Sequence, residues 1–310
     1  MQRPSKPSLS TALRPPAAAL LASLLASLLL GGCASKLAPV RTFAEQTQKL
    51  SVHFEPMLAG SVNSCTDKAM RKRLIMAERF DAQASEQAAR ADCAAIAQAS
   101  LSIAGLNDVL LRYAHTLAAL ADEKLPVYQE EFAGLGDALG GLAQPGAGAP
   151  LLDADKLEKV VKLSELLSRL ATQRLQKSAL RELLEQQDAV NIVSDALKDY
   201  AQRSYRAGLQ DELRDLALLR GAVDGAAARE PLAANYIRTR LHQEGKQLQE
   251  REKIVVAYVR AVESLQASVA ALRAHIGRLQ EPELETQLAQ FARHVDALQR
   301  QAVFYAPVRW

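Results

Sequence analysis

One run of residues limits the fold more than any other. Between Leu241 and Leu279 a set of positions recurs at alternating steps of three and four. Leu241, Leu248, Val255, Tyr258, Val262, Leu265, Val269, Leu272, Ile276 and Leu279 occupy it, with Glu244 and Arg251 at two positions of the same series. Steps averaging 3.5 keep these side chains on one side of an α-helix. Held through roughly six heptads, the pattern is that of a coiled-coil seam, and a seam needs a partner helix to cover it. Glu244 and Arg251 are read as a solvated end near a turn, in preference to charges facing partners across the seam.

The partner is sought in the sequence just before the seam. Gly221-Ala222-Val223-Asp224-Gly225 reads as a turn. Ahead of it, Asp153 stands as the N-cap of a helix whose face carries Val160, Leu163, Leu167 and Leu170. The face resumes with Leu180, Leu184, Gln187, Val190, Val193, Leu197 and Tyr200. Unbroken to Leu219, this helix would span on the order of 100 Å, with Gly208 as its weakest point. So short a turn predicts an antiparallel hairpin. Counting outward from Val223 sets Val262, Leu265, Val269 and Leu272 against Leu163, Leu167 and Leu170. Pro282 ends the long helix, and Leu284, Leu288, Phe291, Val295, Leu298 and Ala302 mark a last one.

The first half repeats the logic in shorter pieces. A stripe of Phe43, Thr47, Leu50, Phe54, Met57, Ser61 and Cys65 predicts a helix over 36–76, bent or broken at Pro56. A second stripe predicts a helix over 85–122, with Cys93, Ser100, Ile103, Asn107, Leu110 and Leu117 on one face. Asn107 on that stripe is read as a buried polar residue that fixes register. Pro126 opens a shorter segment to Leu142, and residues 143–150, with two prolines and two glycines, form a linker. No stretch alternates apolar and polar residues as a half-buried strand does. The expectation is an all-α, elongated fold of antiparallel helical bundles and coiled-coil hairpins. It divides into a stapled helical segment (33–142), the linker, and a long hairpin with a C-terminal helix (151–310).

The first 32 residues are a different kind of sequence. Leu30-Gly31-Gly32-Cys33 closes an apolar run from Ala17 to Leu30, preceded by Arg3, Lys6 and Arg14 with no acid before Glu45. This resembles the lipobox and signal peptide of bacterial lipoproteins. A transmembrane anchor needs about 20 apolar residues, more than this run supplies. Cleavage of an ordinary secretory signal after Ala34 leaves the cysteine unexplained. The resemblance covers only residues 1–35. It implies a chain beginning at Cys33, with a diacylglyceryl thioether on its sulfur and an acylated amine. Several acyl chains give stable anchoring where one gives marginal binding. With Ala34 rather than Asp after the cysteine, the resemblance further implies the periplasmic face of the outer membrane. Loss of residues 1–32 leaves 35 basic and 35 acidic residues. That neutral balance gives no charge footprint for nucleic acid.

Two cysteines remain, Cys65 and Cys93. In an oxidising periplasm an isolated pair usually forms a bridge. Their spacing fits neither a C-x-x-C redox motif nor a haem motif. The remaining search for chemistry finds little. His53, His115, His242, His275 and His294 are never paired at helical spacing, so no metal site is indicated. Gly134, Gly136 and Gly140 have the wrong spacing for a dinucleotide loop and follow no strand. No G-x-S-x-G nucleophile elbow occurs. Neither a catalytic residue nor a cofactor site is therefore assigned. The basic run Lys68, Arg71, Lys72 and Arg73 reads as a solvated helix face. The aromatic ending Phe304-Tyr305-Ala306-Pro307-Val308-Arg309-Trp310 reads as a tail covering one end of the bundle.

The functional expectation is a non-enzymatic lipoprotein held at the membrane through Cys33. It acts by contact with an envelope protein, as a scaffold or accessory component of an envelope assembly or as an immunity-type protein. The alternative is a periplasmic lipoprotein that binds lipid or a small molecule between its helices.

Overall fold

A computed structural model describes residues 37–76, 79–122, 152–172 and 177–303. The lipobox with Cys33, the segment 126–142, the linker 143–150 and the aromatic ending lie outside these residues. The described chain is helical, with no strand among its elements. In order they are α1 (Ala38–Val52), α2 (Glu55–Met76), α3 (Ala82–Asp92), α4 (Ala94–Ala121), α5 (Ala154–Thr172), α6 (Lys177–Glu185) and α7 (Gln187–Asp199). A π-helical turn, Tyr200–Tyr205, leads into α8 (Arg206–Ala226), followed by α9 (Pro231–Ala274) and α10 (Pro282–Val303). The all-α expectation holds.

The helix breaks follow from backbone chemistry. Pro56 has no N–H to donate and sits in the first turn of α2, where none is needed. The helix expected over 36–76 therefore divides at His53–Phe54. The second expected helix divides at Cys93, which ends α3 and begins α4. Asp153 caps α5 as its sequence suggested, accepting from the Lys156 backbone N–H at 2.9 Å.

The turn expected at Gly221–Gly225 is absent. α8 runs through both glycines to Ala226, and the chain reverses between Ala227 and Glu230. Pro231 then occupies the start of α9. The proline is the stronger boundary signal, because it is excluded from a helix interior while glycine is only disfavoured there.

This shift moves the register of the hairpin. Along its length Arg238 pairs with Asp224, Glu252 with Arg206, and Gln266 with Asp195. Arg273 donates to Gln187. α9 therefore lies antiparallel to α8, the π turn and α7 in succession, for about 66 Å at 1.5 Å per residue. The expected pairing of Leu265 and Val269 with Leu163 and Leu167 is incorrect, since α5 packs on α7 and α4 instead. Nor is Gly208 the weak point: it stays helical within α8, and the irregular turn is Tyr200–Tyr205.

α10 folds back antiparallel on α9, with Gln287 donating to Ser268. α1 and α4 are antiparallel to each other, Arg41 meeting Asp122 at 2.5 Å and Asn107 donating to the Ser51 carbonyl at 3.2 Å. Asn107 thus satisfies a carbonyl in the last turn of α1, consistent with a register role. The body of the protein is where α1, α4, α7, α10 and the C-terminal half of α9 converge. An aromatic chain runs through it: Phe54 lies 5.2 Å from Tyr258 and 5.9 Å from Tyr200, and Phe43 lies 5.7 Å from Phe291. α4 and α9 are long and apolar enough to cross a membrane, by length and composition alone. Their large apolar residues, among them Leu106, Tyr113, Tyr258 and Leu265, are buried in this core.

Candidate functional site

Beyond the body, α2, α8 and the N-terminal half of α9 continue as an arm, with α3 packed along α2. The pairing fixes its course. Gly60 faces Tyr205, Ser64 faces Gly208, Lys68 binds Asp211 and Arg71 binds Glu212, so α2 and α8 ascend together while α9 descends beside them. Small residues at the base let α2 and α8 approach closely. A Cβ on Gly60 would stand 2.7 Å from the Tyr205 hydroxyl, and one on Gly208 would stand 3.1 Å from Ser64 Oγ. The π turn sets up this contact. In an α-helix, residues five apart point in different directions, whereas the wider i→i+5 turn brings them closer to one face. Tyr200 accordingly reaches Ser100 at 2.7 Å while Tyr205 packs against Gly60.

Midway along the arm a layer of charge interrupts the apolar packing. Arg71 Nη1 donates to Glu212 Oε2 at 2.7 Å, and its Nη2 lies 3.5 Å from Glu244. The Glu212 side chain is 1 % exposed, and Arg71 is 14 % exposed. A carboxylate so buried is tolerable only when paired, so one guanidinium ties three helices together. Burial pushes the nearby Tyr205 phenol up to about 12, with Arg251 pulling it down and Glu212 raising it. Glu244 therefore faces Arg71, and Arg251 lies close enough to Asp67 and Tyr205 to act on both electrostatically, so this stretch of the seam is not a frayed end.

The same contacts revise the reading of the basic run. Lys68 binds Asp211 at 2.5 Å and Arg73 binds Asp92 at 2.8 Å. Together with Arg71 they join helices, which a purely solvated face does not do.

Cys65 and Cys93 are joined as a disulfide, their Cα atoms 6.0 Å apart. The bridge ties the α3–α4 junction to the middle of α2, with Cys93 buried and Cys65 half-buried. Closing a loop of 28 residues, it contributes about 3–4 kcal/mol by the chain-entropy model. Among the described residues no three His, Cys, Asp or Glu side chains are grouped to hold a metal ion.

The end of the arm is apolar where solvent is expected. Around the α8–α9 turn, Leu232 is 84 % exposed, Tyr236 and Leu218 are 68 % exposed, and Ile237 is also open. Below it, Leu74, Ile75 and Met76 finish α2 in the same condition. Single exposed apolar side chains are ordinary, whereas here several are gathered at one hairpin tip. The seam of this hairpin is separately buried through Leu216, Val223, Ala234 and Leu241. Periodicity does not mark the tip, because these residues lie off the heptad stripe. That is also the signal that could have found them, as apolar residues left over beside a turn.

The tip and the start of α1 lie toward opposite ends of α9. Phe43 packs on Phe291, and the register of α10 on α9 puts Phe291 level with Ser264. From there to Pro231 is about 50 Å along the helix. In comparisons with family models, curated proteins and solved structures, the chain matches none.

Proposed function

We propose that this protein is a lipid-anchored helical adaptor of the bacterial envelope, acting by protein–protein contact through the tip of its arm. Cys33 carries the acyl chains and holds the N-terminal end of the body at the periplasmic face of the outer membrane. The arm then offers Leu218, Leu232, Tyr236 and Ile237 to a partner at a distance from that surface. The observation that carries this reading is the exposed apolar tip, set at the end of α9 remote from α1. A pure spacer needs no such residues, since each leaves apolar area in water without serving the fold. A scaffold or accessory component of an envelope assembly fits it, as does an immunity-type protein.

Two measurements test the reading together. Fatty-acid labelling is expected for the wild-type chain and not for Cys33→Ser. A photo-cross-linker at Tyr236 is expected to trap one envelope protein in cells, a cross-linker at exposed Gln299 is not, and Leu232→Asp is expected to abolish the product while leaving the melting temperature within about 2 °C of wild type. Equal labelling of Cys33→Ser overturns the anchor. The same cross-link from Gln299, or none from the tip, overturns the adaptor.

A further inference from the structure

Between α9, the C-terminal half of α10 and the first residue of α8 lies a cleft of about 530 Å³. That is the size of a site for a small molecule. Its cations are Arg206, Lys253 and Arg260, and its acid is Glu252. Val256, Ala257 and Ala297 give it an apolar wall, and Gln249 and Gln301 add amides that both donate and accept.

The arginine from α8 is placed by the π turn. Arg206 is the first residue after Tyr205, and one extra residue in a turn rotates the rest of the helix by about 100° around its axis. Such insertions are frequent at functional sites. Arg206 Nε donates to Glu252 at 2.8 Å, and Gln210 donates to the same oxygen at 3.2 Å. Glu252 thereby orients the guanidinium through Nε, and among the described residues the two Nη groups of Arg206 make no hydrogen bond. Arg260 makes none either, and Lys253 makes only an exposed pair with Glu250 one helical turn away, an interaction of little strength. On the α10 side, His294 lines the cleft, and its buried Nδ1 has no hydrogen-bond partner among the described residues.

With Arg206, Lys253 and Arg260 against Glu252, the lining itself carries a net charge of +2, offset in part from outside the cleft by Glu250 beside Lys253. A phosphate monoester carries close to two negative charges at neutral pH and offers three acceptor oxygens to the arginine forks. A monocarboxylate brings less charge and offers only two oxygens. The apolar wall calls for a ligand with a small carbon body attached to the anion.

We propose that this cleft binds a phosphate monoester bearing a small apolar body. The phosphate can belong to a free metabolite or to the headgroup of a lipid, and the site chemistry is the same for both.

Calorimetric titration of the full chain at physiological ionic strength tests this, with phenyl phosphate as the free probe and dihexanoyl phosphatidic acid, kept below its micellar concentration, as the lipid probe. Saturable binding of one molecule per chain is expected for at least one of them, and at least tenfold weaker binding for benzoate. The double variant Lys253→Gln/Arg260→Gln, both positions exposed, is expected to weaken binding at least tenfold with an unchanged helical spectrum. Arg203→Gln, an exposed cation outside the cleft, is expected to leave it unchanged. Binding of the lipid probe alone assigns the site to a headgroup, and binding of phenyl phosphate assigns it to a free ester. Absence of saturable binding for both probes, equal binding of benzoate, or equal losses in Arg203→Gln and the double variant overturns the proposal.

Discussion

The body and the arm are built on the same helix and held by different forces. In its C-terminal half α9 buries Val255, Tyr258, Val262, Leu265, Val269 and Leu272 in succession, each no more than 1 % exposed. In its N-terminal half the same series reads Leu241, Glu244, Leu248 and Arg251, and Glu244 turns to Arg71 on α2. Heptad spacing is thus maintained while the content of the seam changes from hydrocarbon to alternating hydrocarbon and charge. Apolar burial is non-directional and scales with area, so the body gains most of its stability from packing. A buried ion pair adds little net stability but penalises any arrangement that separates its members. The arm is accordingly fixed by pairing and by the Cys65–Cys93 bridge more than by bulk. The α8–α9 hairpin carries the exposed apolar tip beyond this charged layer, over a narrow seam of Leu216, Val223, Ala234 and Leu241.

The largest expected effect breaks the body. Leu265 is fully buried in the seam, and Leu265→Asp puts an unpaired carboxylate there, at a cost of about 4–5 kcal/mol. Glu263, two residues away, is exposed, and Glu263→Ala is expected to change stability by no more than about 0.5 kcal/mol. Denaturant melts compare the two directly. Equal mildness in both would mean that α9 is not seated as described.

A smaller effect is expected in the arm. Arg71→Ala leaves the Glu212 carboxylate buried without its partner, and since Arg71 itself retains some contact with water, the expected loss is about 2–3 kcal/mol. The signature is spatial. Hydrogen exchange is expected to speed up in α2 beyond Ser61 and in the α8–α9 hairpin, with protection in α4 and α10 nearly unchanged. Uniform loss of protection would show that arm and body unfold as one unit, and the contrast between them would then be one of composition alone.

The outcomes for α9 and for the turn before it show how far sequence carried. The stripe from Val255 to Leu272 was legible because burial there follows periodicity, and periodicity is a local property. The stapled pair was legible from cysteine arithmetic. The partner of that stripe was not, because a hairpin register depends on where its turn falls. The glycines at 221 and 225 draw attention away from Pro231, and an error of a few residues at the turn moves the far end of the hairpin by twice as many. The π turn at Tyr200–Tyr205 left no trace in the pattern, since its cause is tertiary: Tyr200 and Tyr205 are both drawn toward α2 and α4. The cleft and the ion pairs were equally hidden. Arg206, Lys253 and Arg260 look like any solvated charges until the helices that bring them together are known.

The smallest effect falls at the hinge between the two regions. His53 ends α1 and precedes the break before α2, where the chain passes from body to arm. Burial lowers its pKa below the ordinary 6.5, and Lys49 one turn earlier lowers it further by like charge. The folded chain therefore resists protonation of His53 more than the unfolded chain does. Between the lowered value and 6.5 the unfolded state binds more protons, so stability rises with pH across that window and levels off above it. Acidification from pH 7.5 to pH 5 is expected to lower the denaturation midpoint of the wild type, and His53→Gln is expected to flatten that part of the dependence. Because His53 sits at the junction, hydrogen exchange at the two pH values, corrected for intrinsic rates, should report the change first at the end of α1 and the start of α2. An identical pH profile in His53→Gln would assign the dependence to other groups and would leave the junction as rigid as the body on its α1 side.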